Sequence, residues 1–516
     1  MSGSQPDAPA NAERRAFLGL AATLGLTGMV SGKPPSAPRA LPEICALDAV
    51  SLSAAIHAKR LSCVEVMGAY LDHIGRINPK VNAIVALQER ELLLRQAREH
   101  DELLSRGNSK GVLHGFPHAV KDLQPVKGIV STQGSPLFKD FVPSAEGLMV
   151  ERLRGAGAVF IGKTNTPEFG LGSNTYNSVY GATRNAYDLS RSAGGSSGGA
   201  AVGLAVRMLP VADGSDYGGS LRNPAGWNNV YGFRTSFGCV PNDAKDEWLP
   251  SMGVLGPMAR NVQDLAMLLS VQAGYDDRAP LSVLQEGSRF NERLERDFKG
   301  TRIAWCRDFK GTVPHDPEVL ATCEAALKTF ESLGCIVEEA SPEFSVPAVW
   351  DALVKLRGWQ MGGGLHEFYE DPRKRALLKP EAVFEIETGL KLSAYEISHA
   401  SSVRTLFTHA TRKLLSRYDY LIVPTAQVFP FSVEEHWPET VAGMRMNTYH
   451  EWMKGTFLVT MAGMPALAAP AGFSAQGLPI GLQIVANHHQ ELKCLQLARA
   501  YERASRHNER LSPLLS

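Results

Sequence analysis

The sequence predicts an α/β fold, a β-sheet covered by helices on both faces. Three observations carry this. Strand-like apolar runs alternate with helical stretches along most of the chain, the pattern of a layered α/β architecture. No internal repeat and no low-complexity segment interrupts the alternation. No clear linker divides the chain after residue 40, so the 516 residues read as one large domain over 39–516 behind a distinct segment, 1–38, although the length alone would accommodate more.

The first segment is polar and small to residue 12. Glu13-Arg14-Arg15 then precede a mild Gly/Ala-rich apolar stretch to Val30, and Lys33-Pro34-Pro35 follow as a linker. Paired arginines ahead of such a stretch resemble a bacterial twin-arginine signal peptide. This reading sends the protein to the periplasm or outside the cell by Tat export; a cytoplasmic tail with a chance Arg-Arg is the alternative. Val30-Ser31-Gly32 is a weak cleavage candidate.

Within the domain, Ser62-Cys63-Val64-Glu65 forms a capping box that opens a helix. Val64, Met67, Leu71 and Ile74 keep helical spacing until Asn78-Pro79 ends it. A charged helix covers about 88–105. Phe116 to Val120 is a short buried strand that delivers Lys121 at its end. A helix over 147–154 and a strand over 158–161 follow. Residues 200–205 make a buried helix and Leu209 to Ala212 a strand. Arg302 to Cys306, a helix near 316–333, and Ile336 to Glu339 form a βαβ unit. Residues 340–415 are the most helical part, and Leu421–Pro424 and Pro479–Val485 are further strands.

Composition narrows the function. Lys plus Arg, 53, equals Asp plus Glu, 53, which argues against a broad nucleic-acid surface. No apolar run reaches the length of about 18 residues expected of a membrane span. The seven cysteines are scattered, odd in number and without a C-x-x-C pair, so they read as buried thiols. His366-Glu367 and His450-Glu451 lack the second histidine of H-E-x-x-H, and no metal site is expected.

Two motifs mislead. Gly157 to Thr164 matches the P-loop pattern letter for letter, but its four inner residues are apolar and strand-like, and Asn165-Thr166-Pro167 interrupts any following helix. Gly195-Ser196-Ser197-Gly198-Gly199 contains the G-x-S-x-G of a nucleophile elbow, which needs a downstream acid and histidine. The histidines 366, 399 and 450 have no distinctive context.

The informative constellation is a lysine and two serine-glycine clusters. Gly115-Phe116-Pro117-His118-Ala119-Val120-Lys121 is followed by Gly194 to Gly199 and then by Gly214-Ser215-Asp216-Tyr217-Gly218-Gly219-Ser220-Leu221-Arg222, with Ser220 twenty-four residues beyond Ser196. Two hydroxyls, an amine and glycine-freed backbone N–H groups suffice for acyl transfer without histidine. With Gly162 to Glu168, Ala462-Gly463-Met464-Pro465 and Gly477 to Gln483, these stretches resemble the amidase signature family from about residue 45 to 505.

The resemblance implies a single large mixed β-sheet and an enzyme that hydrolyses a small-molecule amide to an acid and ammonia or an amine, without cofactor or metal. It implies Ser220 as nucleophile, Ser196 as relay behind a cis Gly195–Ser196 peptide, and Lys121 as base. Tyr217, Gly218, Gly219 and Gly170 would bind the oxyanion or substrate, and Ser197, Asp216 and Arg222 would support them. Lysine serves as a base only when neutral, so burial must lower its pKa from about 10.4; Asp122 must then face elsewhere and bond to backbone. Ala193, Ala200 and Cys239 depart from the usual family pattern without touching these groups. The resemblance also covers glutaminase subunits of amidotransferases, the alternative activity, and leaves a homodimer open. Aromatics within 125–180 and 340–460, among them Phe138, Phe141, Phe169, Tyr176, Trp350, Trp359, Phe368, Tyr369 and Trp452, favour a hydrophobic or aryl amide.

Overall fold

The computed structural model describes residues 41–243, 246, 248–249 and 251–515. The expected export signal lies outside them. The strands are β1 (Ile84–Val85), β2 (Pro117–Lys121), β3 (Val159–Thr164), β4 (Ala212–Asp216), β5 (Tyr231–Arg234), β6 (Val254–Ala259), β7 (Arg302–Trp305), β8 (Ile336–Glu339), β9 (Tyr420–Pro424), β10 (Thr440–Val441), β11 (Met444–Arg445), β12 (Ala466–Phe473) and β13 (Pro479–Val485).

Eight of them form one mixed sheet in the order β4-β6-β5-β12-β13-β9-β7-β8. Pairing is antiparallel from β4 to β9 and parallel across β9, β7 and β8. The parallel pair β7–β8 is joined by helix Pro317–Ser332, as the βαβ pattern requires. β12 and β13 are buried along almost their whole length, which explains their near-continuous apolar sequences. Helices Arg222–Trp227, Pro317–Ser332 and Glu491–Ser505 pack on them. Helices Val346–Glu370, Pro380–Leu390 and Ala394–Leu415 form a bundle, and its first and last members also pack on helix Lys454–Ala462.

β1, β3 and β2 make a separate three-stranded sheet in that order. β2 pairs with β3 in parallel and packs against β4 of the large sheet. Lys121 thus comes from a small sheet that leans on the large one.

The expected capping box is present: Ser62 accepts from the Glu65 N–H while Glu65 accepts from the Ser62 N–H. The helix runs Cys63–Val81 with Pro79 inside it, two residues further than expected. Pro79 removes one donor, and Asn82, in the left-handed conformation, ends the helix by donating its N–H to the Asn78 carbonyl. The strand expected at 209–212 begins where that run ends and covers Ala212–Asp216. Its polar residues are matched by partners from other elements, so alternation of apolar side chains gave no signal. All seven cysteines are buried and unpaired.

Candidate active site

The fully buried Lys121 ends β2. Its backbone N–H donates to Asp213 Oδ2 (3.2 Å), and Asp213 Oδ1 is 2.9 Å from His118 Nε2. This fixes the strand end against β4. The Nζ lies 2.8 Å from Ser196 Oγ, 2.8 Å from Ser197 Oγ and 3.0 Å from Ser215 Oγ. Burial pushes the amine down to about 7, against the opposing pull of Asp216 and Asp213. Asp122 points elsewhere, accepting from the Thr132 N–H and hydroxyl. It is 3.9 Å from Lys163, the lysine of the P-loop look-alike, which sits in strand β3 and donates to the Gln124 carbonyl.

The Gly195–Ser196 peptide is cis. Side chains from two other segments hold it: Ser173 donates to the Gly195 carbonyl (2.9 Å), Thr175 to the Gly194 carbonyl (2.8 Å), and Asn223 Oδ1 accepts from the Gly195 N–H (3.3 Å). Gly170 adopts φ +70, and a Cβ there would stand 3.3 Å from Ser196 Oγ and 2.8 Å from Leu123 Cδ1, so Gly170 lies against Ser196.

Ser220 follows β4 after a tight loop and is buried, with 8% of its surface exposed. Its carbonyl accepts from the Ser197 N–H (3.1 Å). Among the described residues no hydrogen bond joins Ser220 Oγ to Ser196, and no histidine bonds to Ser196, Ser197 or Ser220. The nucleophile-elbow pattern therefore has no histidine to complete it.

The loop is braced from beneath. Asp216 Oδ1 accepts from the Gly219 N–H (2.9 Å) and Oδ2 from the Leu221 N–H (3.0 Å). Arg222 bonds both carboxylate oxygens at 2.8 and 3.0 Å, and Arg234 Nη1 reaches the Asp216 carbonyl (2.7 Å). Burial opposes ionisation of Asp216, but the Arg222 guanidinium outweighs it and holds the carboxyl well below the usual carboxylate range. Arg222 also donates to Gln483 Oε1 (2.6 Å), the Thr456 carbonyl (2.9 Å) and Thr460 Oγ1 (2.8 Å). Asp216 and Arg222 thus form a buried pair beneath the loop. Gly219 differs: its N–H is committed to Asp216, leaving those of Tyr217, Gly218 and Ser220 without a partner among the described residues.

Above the loop, Thr456 donates to the Gly218 carbonyl (2.6 Å), and the Arg357 guanidinium lies 4.8 Å from the Tyr217 ring centre. The Tyr217 hydroxyl donates to Gln360 (2.7 Å). A Cβ at Gly218 would collide with the Phe457 ring, and one at Gly219, where φ is +122, would come within 2.6 Å of Thr456 Oγ1. Gly218→Ala is expected to cost about 1–3 kcal/mol through overpacking and to lower turnover by displacing the loop. Melting curves and kcat check this; a variant with wild-type values for both would show that the loop tolerates a side chain.

A cavity of about 280 Å³ opens beside the loop, lined by Tyr217, Leu123, Val254, Leu255, Gln360 and Met361 among others. Of the aromatics singled out from sequence, Phe138, Phe141, Phe169 and Phe368 cluster, with Phe169 stacked on Phe368 and adjoining Gly170 in the chain. Trp452 instead stacks on Trp227 in the core. Sequence reasoning missed Ser173, Thr175, Asn223, Arg234 and Thr456, whose roles arise from contacts distant in the chain. Gln483 lay within a quoted motif but carried no sign of its bond to Arg222.

Residues 65–495 match the profile of the Amidase family. An acylamidase of Rhodococcus erythropolis is 33% identical over 460 residues, covering 88% of this chain and 95% of that protein. A glutamyl-tRNA(Gln) amidotransferase subunit of Caldanaerobacter subterraneus subsp. tengcongensis is 32% identical over 483 residues, covering 90% and 97%. The crystal structure of a bacterial aryl acylamidase of the amidase signature family superimposes with a TM-score of 0.84 at 27% identity, covering 90% of this chain and 98% of that one. With the lysine, the two serine-glycine clusters and the mixed sheet all in place, the chain belongs to the amidase signature family and is an amide hydrolase.

Proposed function

We propose that the protein hydrolyses acyl amides through a seryl acyl-enzyme, with Ser220 as nucleophile, Ser196 as relay and Lys121 as base. The observation that carries this is the 2.8 Å hydrogen bond between Lys121 Nζ and Ser196 Oγ in a buried site. Ser220 Oγ, rotated onto Ser196 as substrate enters, attacks the amide carbon. Its proton passes to Ser196 Oγ while the Ser196 proton passes to Lys121 Nζ. The partnerless N–H groups of Tyr217, Gly218 and Ser220 face the forming oxyanion; one such donor is worth about 100- to 1,000-fold in rate. Collapse breaks the C–N bond, and the proton returns through Ser196 to the leaving nitrogen. Water then attacks the ester carbon with the same relay as base, releasing the acid and restoring Ser220. Ser197 and Asp216 with Arg222 keep these groups in register.

Because Lys121 accepts a proton only when neutral, kcat/KM is expected to fall as pH drops below about 7 and to level off above it. A pH–rate profile of the free enzyme checks this. A rate independent of pH across that limb would remove Lys121 as the base.

The apolar cluster around Phe169 and the names of the acylamidase relatives support a hydrophobic or aryl amide. The likeness to an amidotransferase subunit favours a second reading, glutamine hydrolysis on behalf of a partner. Ammonia and amine release from aliphatic amides, anilides and glutamine separates the two. Turnover of an anilide by the purified chain alone supports the first, and activity confined to glutamine supports the second.

A further inference from the structure

A second cleft, of about 740 Å³, lies apart from the serines and the lysine. Helix Ala394–Leu415 supplies one wall. Its residues Arg404, Thr408, His409 and Arg412 fall at helical spacing, so they share one face. Arg234 completes the cationic lining, while burial holds the neighbouring His488 below its ordinary value and so favours its neutral form. Among the described residues no carboxylate lines the cleft.

The cations here are poorly compensated. Among the described residues Arg404 donates to neutral acceptors only, the hydroxyl and carbonyl of Ser251 and the Met461 carbonyl. Arg412 is exposed and has no ion pair among the described residues. Arg234 is buried and held at Nη1 by Asp216, yet its Nε has no partner among them. Burial pushes the Arg234 guanidinium down to about 9; Asp216 opposes this, while Arg222 and Arg404 add to it. The Thr408 hydroxyl turns back to the Arg404 carbonyl (3.0 Å), so the charge of the cleft is carried by the guanidiniums, with neutral polar groups such as Ser401 and Asn487 beside them. A concave surface of one sign focuses its field on an incoming counter-ion. Guanidinium groups match the oxygens of phosphate in paired hydrogen bonds.

We propose that this cleft binds a multiply charged oxyanion of the phosphate or phosphate-ester class, at a site separate from the amide-hydrolysing one. Arg234 stands between the two sites, since the same residue lines the cleft and braces Asp216.

The test is calorimetric titration of the full chain with inorganic pyrophosphate at fixed ionic strength. Saturable one-to-one binding is expected. Arg412→Gln should weaken it at least tenfold, Arg404→Gln further, and Ser220→Ala not at all. Arg412 is exposed, so its variant keeps the experiment decisive even if Arg404→Gln fails to fold. Absence of saturable binding at millimolar pyrophosphate would overturn the proposal, as would affinity unchanged in Arg412→Gln. Binding lost in Ser220→Ala would place the anion in the amide site and overturn it equally.

Discussion

Replacing Ser220 with alanine is expected to lower kcat on the order of 10⁵- to 10⁶-fold, the scale seen when a serine nucleophile is deleted elsewhere. The fold should not notice. Ser220 contributes its carbonyl, not its hydroxyl, to the bond with the Ser197 N–H, and alanine keeps that carbonyl. A stability change within about 0.5 kcal/mol is expected for loss of an uncommitted hydroxyl. The residues act as a unit, so the double variant Ser220→Ala with Lys121→Ala should be little worse than Ser220→Ala alone. Steady-state turnover on the best amide, with phosphonate labelling of the wild type, reads both claims. Activity within tenfold of wild type in Ser220→Ala would end the assignment.

Asp216→Asn is expected to destabilise the protein by about 3–5 kcal/mol, the cost of removing one partner from a buried ion pair. The carboxylate is fully buried between Arg222 and Arg234 and also accepts two backbone N–H groups. An asparagine amide replaces one acceptor oxygen with a donor aimed at donors, and two guanidinium groups lose their counter-charge. Turnover should fall too, because the Gly219 N–H would lose its anchor. The pH dependence has a defined sign. The folded carboxyl is held below its ordinary value of about 3.9. Its stabilisation is therefore complete above that pH and is lost as pH falls through the folded value. Denaturant midpoints at pH 7 and pH 3 check this: the gap between wild type and variant should narrow at the lower pH. Equal midpoints at pH 7 would show that Asp216 does not brace the loop.

The elements that were legible in the sequence are those whose signals are local. The box at Ser62 and Glu65, the βαβ unit from Arg302 to Glu339 and the apolar run that buries Lys121 each depend on neighbours a few residues away. The placement of Lys121 in a separate small sheet was not legible, because it is decided by the pairing of β2 with β3. Strand β4 hid behind Asp213, Ser215 and Asp216, whose polarity is satisfied by Lys121, Arg222 and Arg234. Lys121, Ser196, Ser220, Asp216 and Arg222 could be named as candidates from residue type and resemblance. Which N–H groups remain free was not, since it depends on where one carboxylate points.

In the proposed mechanism the base comes from the small sheet and the nucleophile from the loop that follows β4 of the large one. During synthesis the strand that bears Lys121 is made well before β4, at a time when the acid that will anchor its backbone, Asp213, does not yet exist. A lysine in that half-made chain is wetted and positively charged, with neither hydroxyl of the site formed around it. Its proposed role as a base waits for β4 to arrive and shut water out, and Ser220 arrives on the same segment. On the proposed roles, the chain therefore gains its amide-hydrolysing chemistry only when the small sheet and the large one close on each other.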